Sequence, residues 1–141
     1  IPVRELIEGR SIIFCDDSIV RGTQLQDNVQ ILHDYGVSEI HIRVACPCLI
    51  YPCEYLNFST SRSSLDLAGR KAILDLEGSE NAALEDYGRD GSDRHRAMVA
   101  NICKRLKLSS LRYQTLDDLV AAIGLPKDKL CTHCWDGTSY D

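Results

Sequence analysis

Apolar and polar positions fall into short blocks along this chain. Residues 11–15 (Ser-Ile-Ile-Phe-Cys) are a run of branched and aromatic side chains that stops at Asp16-Asp17. That pattern predicts a strand buried on both faces of a parallel sheet. From about Thr23 to Tyr35 apolar residues recur at Leu25, Val29 and Leu32, and Gly36 follows. The spacing predicts a helix closed by a glycine cap. Residues 39–45 alternate, with Ile40, Ile42 and Val44 on one face, so a second strand is expected. Strand, helix and strand with such short connections predict a βαβ unit in a parallel α/β sheet.

Beyond residue 56 the pattern changes. Residues 57–64 are small and polar, which predicts a surface loop, and residues 81–96 are dense in charge with two glycines, which predicts a mobile stretch. Arg94 to Leu108 carries Met98, Ile102 and Leu106 four apart, the stripe of an amphipathic helix. Thr115-Leu-Asp-Asp is a capping signal for a short helix through Ile123, with Gly124 and Pro126 beyond.

Length and composition narrow the class. The 141 residues, 44% apolar and 26% charged, fit one folded domain. The longest apolar run, Leu119 to Ile123, is far short of the ~20 residues of a membrane span, so no membrane partner is expected. The chain opens on Ile1 without a secretion signal and its only methionine is Met98; a piece of something longer is the expectation. A net charge of -5 argues against coating nucleic acid. The basic group Arg94, His95, Arg96, Lys104, Arg105 and Lys107 reads as a solvated helix face. Seven cysteines cannot all pair internally. Their spacings, Cys46-x-Cys48, Cys48-x4-Cys53 and Cys131-x2-Cys134, point to metal ligation or free thiols and a reducing cytoplasm. Cys15 and Cys103 read as buried apolar-like thiols. His33, His41 and His95 read as surface or satisfied side chains.

The candidate chemistry lies in Asp16-Asp17-Ser18-Ile19-Val20-Arg21-Gly22-Thr23. A strand delivers two carboxylates at its carboxyl end, where open α/β sheets bind ligands, and a tight loop then enters a helix. The free amides of a helix N-terminus suit a phosphate. Gly22 lets backbone approach it, and Ser18 and Thr23 add hydroxyls. Two adjacent acids would face sugar hydroxyls or a divalent cation. The plainer reading is a strand end followed by a turn.

In order and composition this stretch resembles the phosphoribosyl pyrophosphate (PRPP) signature of type I phosphoribosyltransferases, in the version carried by the amidophosphoribosyltransferase family. Pro2-Val3-Arg4-Glu5, Tyr51-Pro52-Cys53, residues 110–124 (similar to that family's late helical segment) and Leu130-Cys131-Thr132-His133-Cys134-Trp135-Asp136-Gly137 extend the resemblance. It implies a type I phosphoribosyltransferase-like α/β fold, a partial parallel sheet with flanking helices, plus a helical carboxyl-terminal tail. Residues 1–56 would form the βαβ unit with the PRPP loop, and 57–141 a charged insert and helical region of the same domain.

The resemblance also implies a reaction of purine biosynthesis. In the family, ammonia attacks C1 of PRPP, pyrophosphate leaves and 5-phosphoribosylamine forms. By position, Asp16 and Asp17 would bind the ribose hydroxyls and help hold Mg2+, and residues 18–23 would cradle the 5-phosphate. Cys53, Cys131 and Cys134 match three of four cysteines that hold a 4Fe–4S cluster in several members; the fourth would precede Ile1. Buried thiols are the other reading for these three, and Cys46, Cys48 or His133 are stand-ins for the missing ligand. If the cluster site is empty, residues 130–141 are expected to be mobile. Neither the family's glutaminase half nor its pyrophosphate loop has a counterpart here, and Tyr55-Leu56-Asn57-Phe58 replaces its usual Tyr-Gly-Ile-Asp. The remainder of the enzyme or a partner chain would supply them, in a homo-oligomer. Two alternatives stand beside this: a non-catalytic PRPP-binding or regulatory module, and a cysteine-rich metal-binding structural domain.

Overall fold

The computed structural model describes residues 2–55 and 63–138. Three parallel strands form the sheet in the order β1-β2-β3: β1 (Ser11–Asp16), β2 (Glu39–Val44) and β3 (Ser110–Tyr113). Ile12 pairs with Ile40 and Phe14 with Ile42, while Ile42 pairs with Leu111. A single turn, α1 (Arg4–Ile7), precedes β1, and α2 (Thr23–Asp34) joins β1 to β2. The βαβ unit forms where the periodicity predicts it.

The alternation of β2 decides where the core sits. Ile40, Ile42 and Val44 are buried, whereas Glu39 is exposed and His41 and Arg43 are half-buried. Onto the apolar face pack Val29 and Leu32 of α2, Ala72 and Ile73 of α3 (Ala68–Glu77), and Met98 and Ile102 of α5 (Asp93–Arg105). Ser92 caps α5 by accepting from the His95 amide, and Thr115 caps α6 (Leu116–Ile123) by accepting from Asp118, as the capping signal predicts.

Four expectations need correction. The first concerns β1. It pairs only with β2, and Ile13 is 66% exposed, with Phe14 and Cys15 also exposed. Among the described residues nothing covers its outer side, so neither double burial nor the burial expected of Cys15 is found. Cys103 is half-buried.

The second concerns the charged stretch 81–96. It holds a short helix, α4 (Leu84–Gly88), whose Tyr87 is buried and donates to Glu77 Oε1 at 2.8 Å. Arg94 bridges Glu77 and Asp86. Opposite charges knit this segment to α3 instead of loosening it.

Third, Ser110–Tyr113 is not the start of a helical segment but the third strand. It is short, and its single buried residue, Leu111, gives no period to read. Fourth, the carboxyl-terminal tail is anchored. The Cys134 carbonyl accepts from the amides of both Ile50 and Tyr51. It belongs to the short helix α7 (His133–Asp136). Residues 57–62 of the expected polar loop, and 139–141 of the tail, lie outside the described residues.

The basic group is an ion-paired helix face: Arg96 meets Asp93 and Arg105 meets Asp75 at 2.7 Å. The three histidines are satisfied. His33 meets the Lys107 carbonyl, His41 the Ser110 hydroxyl and His95 the Tyr87 carbonyl.

Candidate functional site

β1 ends at the acid pair, and the chain turns through residues 17–22 before α2 starts. These residues converge. Asp16, Asp17, Ser18, Ile19, Val20, Arg21, Gly22 and Thr23 all line one cavity of about 660 Å3, at the carboxyl end of the strand, as the sheet rule requires.

Several contacts fix the loop. The Ser18 amide donates to Asp17 Oδ1 at 2.7 Å. Ile19 is buried in the core, so only its backbone can face a ligand. The Ala68 amide donates to the Val20 carbonyl at 2.8 Å. Arg21 lies 3.7 Å from Asp66 and is about half exposed.

Gly22 stands at φ 78°, in the left-handed region, and a Cβ there would meet Leu106 Cδ2 at 3.4 Å and Ile19 Cγ2 at 4.0 Å. Glycine is therefore called for by backbone conformation, while a Cβ would only touch the side chains of Leu106 and Ile19 in ordinary contact. No side chain caps α2 and its first turn holds no acid, which leaves its leading amides open to an external anion.

Burial raises the Asp16 carboxyl above its ordinary value; the Asp17 and Ser18 backbone amides pull it back, and the Asp17 side chain adds to the rise. A cation between them would relieve both effects.

Cys46 lies within electrostatic reach of this pair, which sequence spacing did not reveal. Burial pushes its thiol up to about 11, the charges of Asp17 and Asp16 push the same way, and the Trp135 indole N–H beside its sulfur partly offsets them. Asp16 is the register partner of Val44, so Cys46 stands two residues beyond the neighbouring strand tip. Cys48 is fully buried beside Tyr113, and burial pushes it up to about 12.

The other thiols divide differently. Burial pushes Cys134 up to about 12, and the Cys53 and Cys131 thiols add to the rise. The structure thus brings Cys134 beside Cys53 with Cys131 within electrostatic reach. Even so, among the described residues no group of three or more His, Cys, Asp or Glu side chains is arranged to hold a metal ion. His133 turns its ring nitrogens to the Pro52 and Thr138 carbonyls, so it does not stand in as a ligand. Nor do Cys46 and Cys48, which belong with the strand tips. The three thiols do not fit a complete four-thiolate centre.

No protein-family model matches the chain. Individual proteins do. An amidophosphoribosyltransferase of Methanothermobacter thermautotrophicus is 33% identical over 136 residues, which is 96% of this chain and 23% of that protein. One from Mycobacterium bovis is 32% identical over the same length, 22% of the protein. The chain is a relative of the amidophosphoribosyltransferases. It spans less than a quarter of the length of these relatives, which fits part of their phosphoribosyltransferase domain. The solved structure of glutamine PRPP amidotransferase from B. subtilis, complexed with ADP and GMP, superposes with a TM-score of 0.69 at 22% identity. It covers 98% of this chain and 25% of that one. The amidophosphoribosyltransferase fold, a parallel α/β sheet flanked by helices, is the fold found here. Among the described residues no helix is long and apolar enough to cross a membrane.

Proposed function

We propose that this chain provides the ribose 5-phosphate half of a PRPP site for an amidophosphoribosyltransferase reaction of purine biosynthesis. The carrying observation is the convergence of Asp16 to Thr23 on one cavity at the tip of β1, beside the uncapped start of α2. In this reading the leading amides of α2, with the Ser18 and Thr23 hydroxyls, hold the 5-phosphate. Asp16 and Asp17 take the ribose hydroxyls and are the residues that would hold Mg2+, whose charge would offset that of the leaving pyrophosphate. The chemistry asked of these residues is positioning: C1 is held where ammonia can attack as pyrophosphate departs. The pyrophosphate-binding and ammonia-supplying elements come from the remainder of a longer cytoplasmic polypeptide or a partner chain, in a homo-oligomer. Residues 1–56 and 57–141 then act as one domain. Cys134 beside Cys53, with Cys131 within reach, is the arrangement that three ligands of a 4Fe–4S centre would need, and the fourth ligand would come from outside these three.

Calorimetric titration with ribose 5-phosphate and Mg2+ tests this. Asp17→Asn and Thr23→Ala are each expected to weaken binding about tenfold, the loss of one charge-assisted or cradle hydrogen bond. Unchanged heats in both variants would sink the assignment. The 141-residue chain alone is expected to make no phosphoribosylamine from PRPP and ammonia.

A further inference from the structure

A second and smaller cavity of about 210 Å3 adjoins the loop, and neither acid of the pair lines it. Its polar lining is Arg21, Thr23, Gln26, Lys71 and Arg105, and no carboxylate lines it. Ile102, almost wholly buried, contributes apolar floor. The loop that enters α2, helix α3 and helix α5 meet here, and each delivers one cation, Arg21, Lys71 and Arg105.

The cations are not equivalent. Arg21 lies 3.7 Å from Asp66 and Arg105 lies 2.7 Å from Asp75, acids that stand outside the cavity lining. Lys71 makes no ion pair among the described residues. Three positive groups around so small a space repel one another, and their repulsion is relieved when an anion sits between them. Arginine presents paired N–H groups that match an oxyanion, and the Thr23 hydroxyl and Gln26 amide add further donors.

We propose that this notch is a second anion site, which binds a phosphoryl-type oxyanion, free or as the terminal group of a larger molecule. It does not rest on the function proposed above. Arg21, Gly22 and Thr23 line both cavities, so an occupant here touches the same turn.

The test is an NMR titration of the full 141-residue chain with inorganic phosphate and, separately, ribose 5-phosphate, at constant ionic strength set with sodium chloride. Saturable shifts at the amides of Lys71, Ala72 and Leu106 are expected. The double variant Lys71→Gln, Arg105→Gln should weaken the affinity read at those amides at least fivefold. Lys71→Arg should retain it, and circular dichroism should show all variants folded. Asp17→Asn should leave this site unchanged, which separates it from the front cavity. Tighter binding of ribose 5-phosphate would assign the notch to a carried phosphoryl group, and equal affinity to the free anion. Shifts confined to the front of the loop, or an equal affinity in the double variant, would overturn the proposal whatever happens at the acid pair.

Discussion

The backbone amide of Ala68 donates to the carbonyl of Val20 at 2.8 Å. That bond ties the first residue of α3 to the middle of the loop that carries the candidate site. With Leu106 packed behind Gly22, it makes the loop a part of the helical layer and not a free turn.

Gly22 is the position where this should be felt most. At φ 78° any residue with a Cβ is strained, by roughly 1–2 kcal/mol. Gly22→Ala is expected to lower stability by about 1 kcal/mol in urea unfolding. Gly22→Asn should cost less, because asparagine tolerates the left-handed region. Equal midpoints for wild type and Gly22→Ala would contradict the loop geometry.

The contrast between two isoleucines tests the sheet. Ile42 is wholly buried and Ile13 is 66% exposed. Ile42→Ala should cost about 2–5 kcal/mol, whereas Ile13→Ala should stay within about 0.5 kcal/mol. Chemical denaturation of the two variants in parallel is sufficient, and comparable losses would mean that β1 is covered after all.

Asp136 gives the pH dependence. Burial would raise its carboxyl, but bonds from Lys127 at 2.9 Å, Thr138 and Thr132 outweigh that and bring it from 3.8 down to about 2. A lowered folded-state value means stability that is full above about 4 and is lost as pH falls toward 2. Because Lys127 is half exposed, solvent screening limits the effect to about 1 kcal/mol. Wild type should be more stable than Asp136→Asn at pH 7, and the gap should close near pH 2. A gap that persists at pH 2 would rule out this linkage.

Thiol labelling should follow burial. Cys15 and Cys131 are exposed, whereas Cys48 and Cys53 are buried, and Cys48 is also pushed up to about 12. Iodoacetamide at pH 8, followed by peptide mass mapping, is expected to modify Cys15 and Cys131 first and Cys48 and Cys53 last. Early labelling of Cys48 would show that the strand tips open readily.

What could be read from the sequence was what is local. The run ending at Asp16, the period of Leu25, Val29 and Leu32, and the alternation of Ile40, Ile42 and Val44 each describe a single element. They led to the correct βαβ unit and to a loop whose eight residues share one cavity. Long-range facts were not legible. Leu111 looks like any apolar residue until it pairs with Ile42. Arg70, in the interior of α3, is buried and donates to the Ile50 carbonyl at 2.6 Å, yet arginine in a sequence reads as surface. Cys46 joined the acid pair only once two strand tips were laid side by side. β1 misled for the opposite reason: its apolar run is genuine, but composition does not say whether a neighbour lies on each side.

The double hydrogen bond from Ile50 and Tyr51 to the Cys134 carbonyl also bears on the order of events during synthesis. The segment that follows β2 leaves the ribosome more than eighty residues before its backbone partner. Until then those two amides have only water or a chaperone to satisfy them. β2 likewise lacks one neighbour until β3 emerges. A chain growing at ~5–20 residues per second therefore spends several seconds with the ends of β1 and β2 open, so the strand tips and the loop beside them settle only after the segments that close them have emerged.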